Sequence, residues 1–303
     1  MRRLRAGWLY AVNPFGGQVE RVDLGPGDVR AIVFWSKNYN PILPYLDQID
    51  AMGYKCIFHY TITGLPSIFE PAVPELGCVV SAAKVLSDRY GADALLWRYD
   101  PIVPTSLTPA SYHVSQFRDL AARLAGYTRR CYFSFTARYR KVLRNLNRLA
   151  ASEQLEVLDL SLEEQHDLVE RLAQFAGDHG ITMHTCCQDT LISSNVRKGH
   201  CVDGRLIASL YPEMGLEPAL RPTRDQCGCT VSTDIGAYDT CTHGCVYCYA
   251  NTNKTASELR RASHNEDWPS LVLPTDASED GLARCRPANR SDQLAFPEEG
   301  QLP

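Results

Sequence analysis

The chain has 303 residues, 45% of them apolar and 22% charged, enough to bury the core of one large α/β domain or two ordinary ones. A formal charge of -4 and a pI near 6.1 supply no global basic field, so nucleic acid could be met only through a local patch. No apolar run approaches the roughly 18 residues of a spanning helix, and the start lacks the apolar stretch of a signal peptide, so the reading is a cytoplasmic protein with no membrane partner.

From residue 8 to about 187 apolar runs alternate with amphipathic stretches, the pattern of βα units around a mainly parallel sheet. "WLYAVN", "AIVFWSKN", "KCIFHYTITG", "ALLWRYDPIV", "RCYFSFTA" and "ITMHTC" read as buried strands. "ILPYLDQIDAMG", "VVSAAKVLSDRYG", "ASYHVSQFRDLAARLAG", "RYRKVLRNLNRLAA" and "SLEEQHDLVERLAQFAGDHG" carry helical spacing, and "SLEE" makes a capping box at Ser161. Six such repeats predict an α/β fold, a (β/α) barrel or partial TIM-like barrel, although a doubly wound sheet has the same local pattern. In either case ligands gather at the carboxyl ends of the strands, where Ser36, Lys37, Asn38, Thr61, Thr63, Arg98 and Asp100 fall.

After residue 188 the rhythm breaks into a short-turned, cysteine-bearing region that runs to about 255. A C-terminal extension follows over 256–303, and its end, rich in Pro, Asp, Glu, Ser and Arg from about 275, reads as disordered. The expected organisation is a single barrel-like domain over 1–255, with βα units to 187 and a cysteine-rich region over 188–255. "TVSTDIGAYDT" reads as a strand leading into Cys241.

Twelve cysteines are many for a reducing compartment, where clustered thiols more often bind metals or catalyse than form disulfides. Cys241, Cys245 and Cys248 in "CTHGCVYCYA" place three soft donors within eight residues, with Gly244 allowing the tight turn. Soft sulfur selects zinc, copper(I) or iron-sulfur groups. Structural zinc favours four ligands from paired CxxC knuckles, whereas a 4Fe-4S cube held by three cysteines keeps one iron free for a further ligand. A zinc or disulfide site using the same residues stays open. Cys186, Cys201, Cys227 and Cys229, spaced by 15, 26 and 2 residues, could complete a second site, an auxiliary 4Fe-4S cluster or a structural zinc. Cys56, Cys78 and Cys131 read as small buried hydrophobes and Cys285 as an incidental thiol.

Three further readings stand beside bland ones. Lys37, Arg98 and Asp100 could bind a carboxylate, ribose hydroxyls or an anionic substrate, or Arg98 and Asp100 could simply form an ion pair. His184, two before Cys186 on an alternating strand, reads as a satisfied core histidine; His243 could hydrogen-bond a cluster sulfur or face solvent. "RYRKVLRNLNR" is a basic helix face, either solvated or a weak nucleic acid contact. Dinucleotide GxGxxG and phosphate-loop patterns are absent.

CxxxCxxC with Tyr247 before the last cysteine resembles the cluster loop of radical S-adenosylmethionine enzymes. That resemblance implies a 4Fe-4S cluster on Cys241, Cys245 and Cys248, S-adenosyl-L-methionine on its free iron, and Tyr247 near the adenine. It also implies reductive cleavage to a 5′-deoxyadenosyl radical, hydrogen abstraction from an unknown substrate, and an electron donor such as flavodoxin or ferredoxin. "FWSKN" resembles the spore photoproduct lyase group, which implies a nucleic acid substrate. More of the chain, through "NPF", "IVFWSKN", "LPYLDQIDAMGY", "FHYTITG", "LLWRYDPI", "QCGCTVSTDIGAYDTC" and "HGCVYCYAN", is similar to the uncharacterised bacterial family named domain of unknown function 1848. The family pattern implies a radical-S-adenosylmethionine-like cysteine cluster near the C-terminus, no established activity, and Cys186 rather than Cys187 in a second site. Its members begin with a strand and a "RRTDIP"-type segment, so the expectation is that the chain starts upstream or the barrel lacks an element. Since the triplet of radical enzymes follows the first strand, the expected strand before Cys241 would take that place by circular permutation. The alternative from another class is a non-enzymatic zinc or iron-sulfur protein with a structural or nucleic-acid-contact role.

Overall fold

A computed structural model describes residues 1–13 and 17–272, so Cys285 and the tail read as disordered lie outside the described residues. The chain opens on α1 (Arg2–Ala6), then β1 (Trp8–Val12) and β2 (Val19–Asp23), which pair antiparallel as a separate two-stranded sheet. "WLYAVN" is therefore a strand but not the first βα unit expected of it. Its burial alternates along the strand, with Leu9 and Ala11 inward. A strand apolar on one face suits a hairpin rather than a parallel sheet covered on both faces. Leu9, Ala11, Val22 and Leu24 make its own small core.

The parallel sheet comprises β3 (Ile32–Ser36), β4 (Cys56–Thr61), β5 (Leu95–Ile102), β6 (Arg130–Phe135), β7 (Thr182–Thr185) and β8 (Val196–Lys198). Its spatial order follows the chain order, and every neighbouring pair is parallel. Five of these strands were legible as apolar runs. β8 was not, since "VRK" is three residues long and carries two charges. β3 and β8 pair with one neighbour each, and the order has no reversal of the kind a doubly wound sheet shows.

The helices between the strands are α2 (Leu46–Ala51), α3 (Leu76–Tyr90), α4 (Ala110–Leu124), α5 (Arg140–Glu153) and α6 (Leu162–Asp178). Ser161 caps α6 as expected: its side chain accepts from the Glu164 amide while the Glu164 carboxylate accepts from the Ser161 amide. α2, α3, α4 and α6 press Ile49, Val80, Leu86, Phe117, Leu120 and Leu172 onto one face of the sheet. There they meet Phe58, Tyr60, Trp97, Tyr99 and Phe133. The opposite face carries His59, Arg98, Tyr132 and His184, the alternate residues of the same strands. α7 (Gly204–Leu210) packs there through Leu206 and Ile207 against Ile57, Leu96 and Tyr132.

Beyond Met214 the only regular element among the described residues is α8 (Lys254–Ser263). The strand expected over "TVSTDIGAYDT" is absent: Thr230 forms one isolated bridge with Leu220, and the rest is turn and irregular chain. Asp234 explains part of this, because its carboxylate accepts the Gly236 amide at 2.8 Å and closes a local turn that competes with a ladder. Among the described residues no helix is long and apolar enough to cross a membrane.

Three buried histidines, His59, His113 and His184, are held neutral by burial, which makes acid unfavourable to the fold. His113 accepts from the Tyr99 hydroxyl on Nδ1 at 2.9 Å and donates from Nε2 to the Val103 carbonyl at 3.2 Å. Burial lowers its pKa to about 4, and burial likewise lowers that of His184 to about 4. Folding favours the neutral rings, so their stabilisation is complete above the unfolded value near 6.5 and is lost as pH falls from about 6.5 toward 4. A denaturation series from pH 7 to pH 4 should show stability falling by several kcal/mol, about 3 for each ring, and His113→Gln should flatten the slope.

Candidate metal centre

The triplet loop reaches the carboxyl edge of the sheet through one buried carboxylate. Glu70, in the loop after β4, accepts from Lys37 Nζ at 2.9 Å, from the Thr63 hydroxyl at 2.6 Å and from the Tyr247 hydroxyl. Lys37 follows β3 and Thr63 follows β4, so the two strand ends and the cysteine loop share one oxygen. Lys37 also lies 5.5 Å over the Tyr247 ring. Burial first, and then Glu70, pushes the Tyr247 pKa well above its usual value, so the hydroxyl stays protonated and donates. Backbone bonds complete the docking: Val246 donates to the Phe69 carbonyl and Ala72 to the His243 carbonyl, both at 3.0 Å.

Within the loop Gly244 adopts φ +69, and a Cβ there would stand 3.3 Å from Pro71, so the turn needs glycine twice over. The Cys248 amide donates to the Cys245 carbonyl at 3.1 Å, which curls the two residues toward each other. Cys241 is exposed, with Sγ 3.4 Å from His243 Nδ1; Cys245 and Cys248 are half-buried. Burial pushes the Cys245 thiol up to about 12 and raises Cys248 as well.

The second expected group converges on β7. Cys186 follows that strand directly and its Sγ lies 3.1 Å from Cys201 Sγ. Cys229 Sγ accepts from the amide of Val202, next to Cys201, at 3.4 Å, and the Thr223 hydroxyl donates to Cys227 Sγ at 3.6 Å. Arg98 bridges toward this group: it is ion-paired with Asp100, with Nε at 3.0 Å, and its Nη1 donates to Cys201 Sγ at 3.4 Å. Asp100 in turn accepts from the Ser134 hydroxyl. Burial alone would raise the Asp100 pKa, but Arg98 and Ser134 hold it below the usual carboxylate range. Of the bland readings, the Arg98 to Asp100 pair is what the geometry contains, and His184 stacks on Tyr132 and faces the Lys198 carbonyl at 3.3 Å.

Both groups are made of soft donors alone, which fits zinc or iron-sulfur in kind. As the side chains stand, no three His, Cys, Asp or Glu among the described residues are arranged to hold a metal ion. Cys56 and Cys131 are buried strand residues as expected; Cys78, read as buried, is exposed on α3 because it falls on the helix's outer face.

The basic helix α5 packs Val142 and Leu146 against Tyr247 and Phe69. Its outer face presents Arg144 and Arg148 to a cavity of about 530 Å³ that Cys245, Cys248 and Lys254 also line. Glu70 and Arg224 are the residues that sequence reasoning missed. Each is a charge in a loop, "SIFEP" and "PTRDQ", with no spacing to mark it.

Glu70→Gln should destabilise the fold by about 3 kcal/mol, since it leaves the Lys37 ammonium largely buried and without its charge partner. It should also speed alkylation of Cys245 by freeing the loop. Urea denaturation and mass-mapped iodoacetamide labelling read the two effects, and an unchanged labelling rate would show that Glu70 does not hold the loop.

A family model described as Domain of unknown function (DUF1848) matches residues 1–250. No curated protein and no solved structure matches the chain.

Proposed function

The chain belongs to the family Domain of unknown function (DUF1848), and with that as premise we propose that it is a radical S-adenosylmethionine-type iron-sulfur enzyme on a partial (β/α) barrel. The observation that carries this reading is the docking of a three-thiol loop, through Tyr247 and Glu70, onto the ends of β3 and β4. Sequential parallel strands with α2, α3, α4 and α6 on one face support the partial barrel.

In this reading Cys241, Cys245 and Cys248 hold the cluster, and three thiolates leave one metal position for a small ligand. When bound, the 4Fe-4S group with S-adenosyl-L-methionine supplies one-electron reductive cleavage of a carbon-sulfur bond and a 5′-deoxyadenosyl radical. The chain's own residues orient and shield. Glu70 fixes the loop, Gly244 gives it its turn, and Lys37 holds a positive charge beside Tyr247. Val142 and Leu146 close the loop's inner side against water.

Arg98 and Asp100 pair on the strand face nearer the second thiol group, so in this account they serve that group rather than S-adenosylmethionine. Arg144, Arg148 and Lys254 would favour an anionic substrate beside Cys245 and Cys248. The test of ligand assignment is anaerobic reconstitution with iron and sulfide, followed by electron paramagnetic resonance of the reduced protein. A cubane signal that changes when S-adenosylmethionine is added supports the reading; a zinc-filled protein without iron absorbance supports the non-enzymatic alternative.

A further inference from the structure

The segment 215–253 poses a physical problem. Among the described residues it contains no helix and no strand, only the bridge between Leu220 and Thr230. Its buried apolar residues are Cys229 and Tyr247. Loops longer than about 15 residues without structure of their own are uncommon inside a domain, and two buried apolar side chains with a few half-buried ones, Leu216, Ile235, Tyr238 and Val246, offset little of the ordering of so much chain. Something other than apolar burial must hold it in place.

Backbone and amide hydrogen bonds tie it to the body at several points, among them Thr230 donating to the Val202 carbonyl at 2.9 Å, Val246 to the Phe69 carbonyl at 3.0 Å and the Asp189 amide to Gln226 at 2.8 Å, and two side-chain attachments stand beside them. One is the Tyr247 contact with Glu70. The other is a set of thiols: Cys227 and Cys229 from this segment, and Cys201 after β8, whose Sγ lies 3.1 Å from that of Cys186 at the end of β7. The hairpin bearing Cys227 and Cys229 presses close to the body, since a Cβ on Gly228 would stand 2.4 Å from His200 Nδ1. The Val202 amide donates to Cys229 Sγ at 3.4 Å.

Two guanidiniums also direct N–H groups at these sulfurs. Arg98 donates to Cys201, and Arg224 donates to Cys187 at 3.1 Å and faces Cys186 at 3.9 Å. Arg224 makes no ion pair with a carboxylate among the described residues. A neutral thiol is a weak acceptor, whereas a metal-bound thiolate carries charge and draws such donors. Arg98 is already held by Asp100, whereas neutral cysteines give Arg224 little reason to point at this sulfur group.

From these contacts we infer that Cys186, Cys201, Cys227 and Cys229 form a second, four-thiolate metal centre that fastens the irregular segment to the sheet, with Arg98 and Arg224 balancing its charge. Four thiolates leave no open position, so this centre is structural or electron-carrying, whereas the triplet is reactive. Binding releases the thiol protons and draws the sulfurs from pairwise contact into one tetrahedral set. Its metal is soft, zinc or iron-sulfur. The inference rests on different cysteines from those of the proposed reactive cluster, and either can fail alone.

The test begins with a variant in which Cys241, Cys245 and Cys248 are all alanine, purified anaerobically and analysed for metals. Retention of about one zinc or about four irons per chain is expected, the metal identifying the centre, and a further Cys229→Ser change should remove it while Cys78→Ser does not. Metal-free protein, or metal kept in the Cys229→Ser variant, would overturn the inference. Because that variant could misfold, the unsubstituted chain gives a second measurement: alkylation mapped before and after chelation. Cys186, Cys201, Cys227 and Cys229 should become reactive together once metal is withdrawn, and equal labelling in both states would equally overturn it.

Discussion

Cys245→Ala should reduce S-adenosylmethionine cleavage to background and strip the triplet of its iron. In the proposed reading Cys245 is the middle ligand of the three. Its carbonyl accepts the Cys248 amide, and the preceding Gly244 sets the turn. With one thiolate gone, two remain, fewer than the three that a site-differentiated cube needs. The fold should survive, because the loop is held through Val246 and Tyr247 rather than through the thiol. Cys56→Ala is the control: Cys56 is fully buried in β4, away from the loop, so it should cost packing stability without touching cleavage. Full cleavage by the Cys245 variant, measured as 5′-deoxyadenosine by chromatography, would remove Cys245 from the ligand set.

Trp97→Ala should cost about 4 kcal/mol, a large share of the 5–15 kcal/mol that holds a typical domain. Trp97 is 1% exposed at the centre of β5. Its ring stacks on Phe117 of α4 at 4.7 Å and meets Tyr99 edge-on at 6.0 Å, while its Nε1 donates to the Ile62 carbonyl at 2.8 Å. Alanine removes all three contacts and leaves a cavity between sheet and helix that neighbours fixed in two elements cannot fill. Trp35, 48% exposed and stacked on His59, should lose far less on the same substitution. Urea midpoints compare the two; equal losses would mean that β5 does not carry the core.

The contrast between those tryptophans shows what the sequence could reveal. "ALLWRYDPIV" and "KCIFHYTITG" are dense in β-forming residues, and local propensity and burial agree there, so β4 and β5 were legible. α6 was legible to its cap because the Ser161 and Glu164 exchange is a local event. The hairpin role of "WLYAVN" was not, since its partner strand "VERVD" is mostly polar and the choice of partner is a tertiary matter. The strand read into "TVSTDIGAYDT" failed because Asp234 closes a turn that a β-propensity reading does not register.

At the site the spacing of Cys241, Cys245 and Cys248 is the signal behind the proposed chemistry, and Lys37 and Thr63 were found by their places after strands. Their meeting point was invisible: Glu70 lies 177 residues from Tyr247, and nothing local tells a buried carboxylate from a solvated one. Cys186, Cys201, Cys227 and Cys229 show the middle case, with residue types that suggest a site and spacing too irregular to define one. The contacts of Cys186 with Cys201, and of Arg98 and Arg224 with those two sulfurs, are what the proposal of a second centre adds to spacing.

The central claim is that the triplet loop supports reductive cleavage of S-adenosylmethionine, and its direct measurement is 5′-deoxyadenosine formation. Protein purified and reconstituted anaerobically, then reduced with dithionite, should release 5′-deoxyadenosine only when S-adenosylmethionine, reductant and all three of Cys241, Cys245 and Cys248 are present. Iron-loaded, reduced protein that binds S-adenosylmethionine and yields no 5′-deoxyadenosine would contradict it.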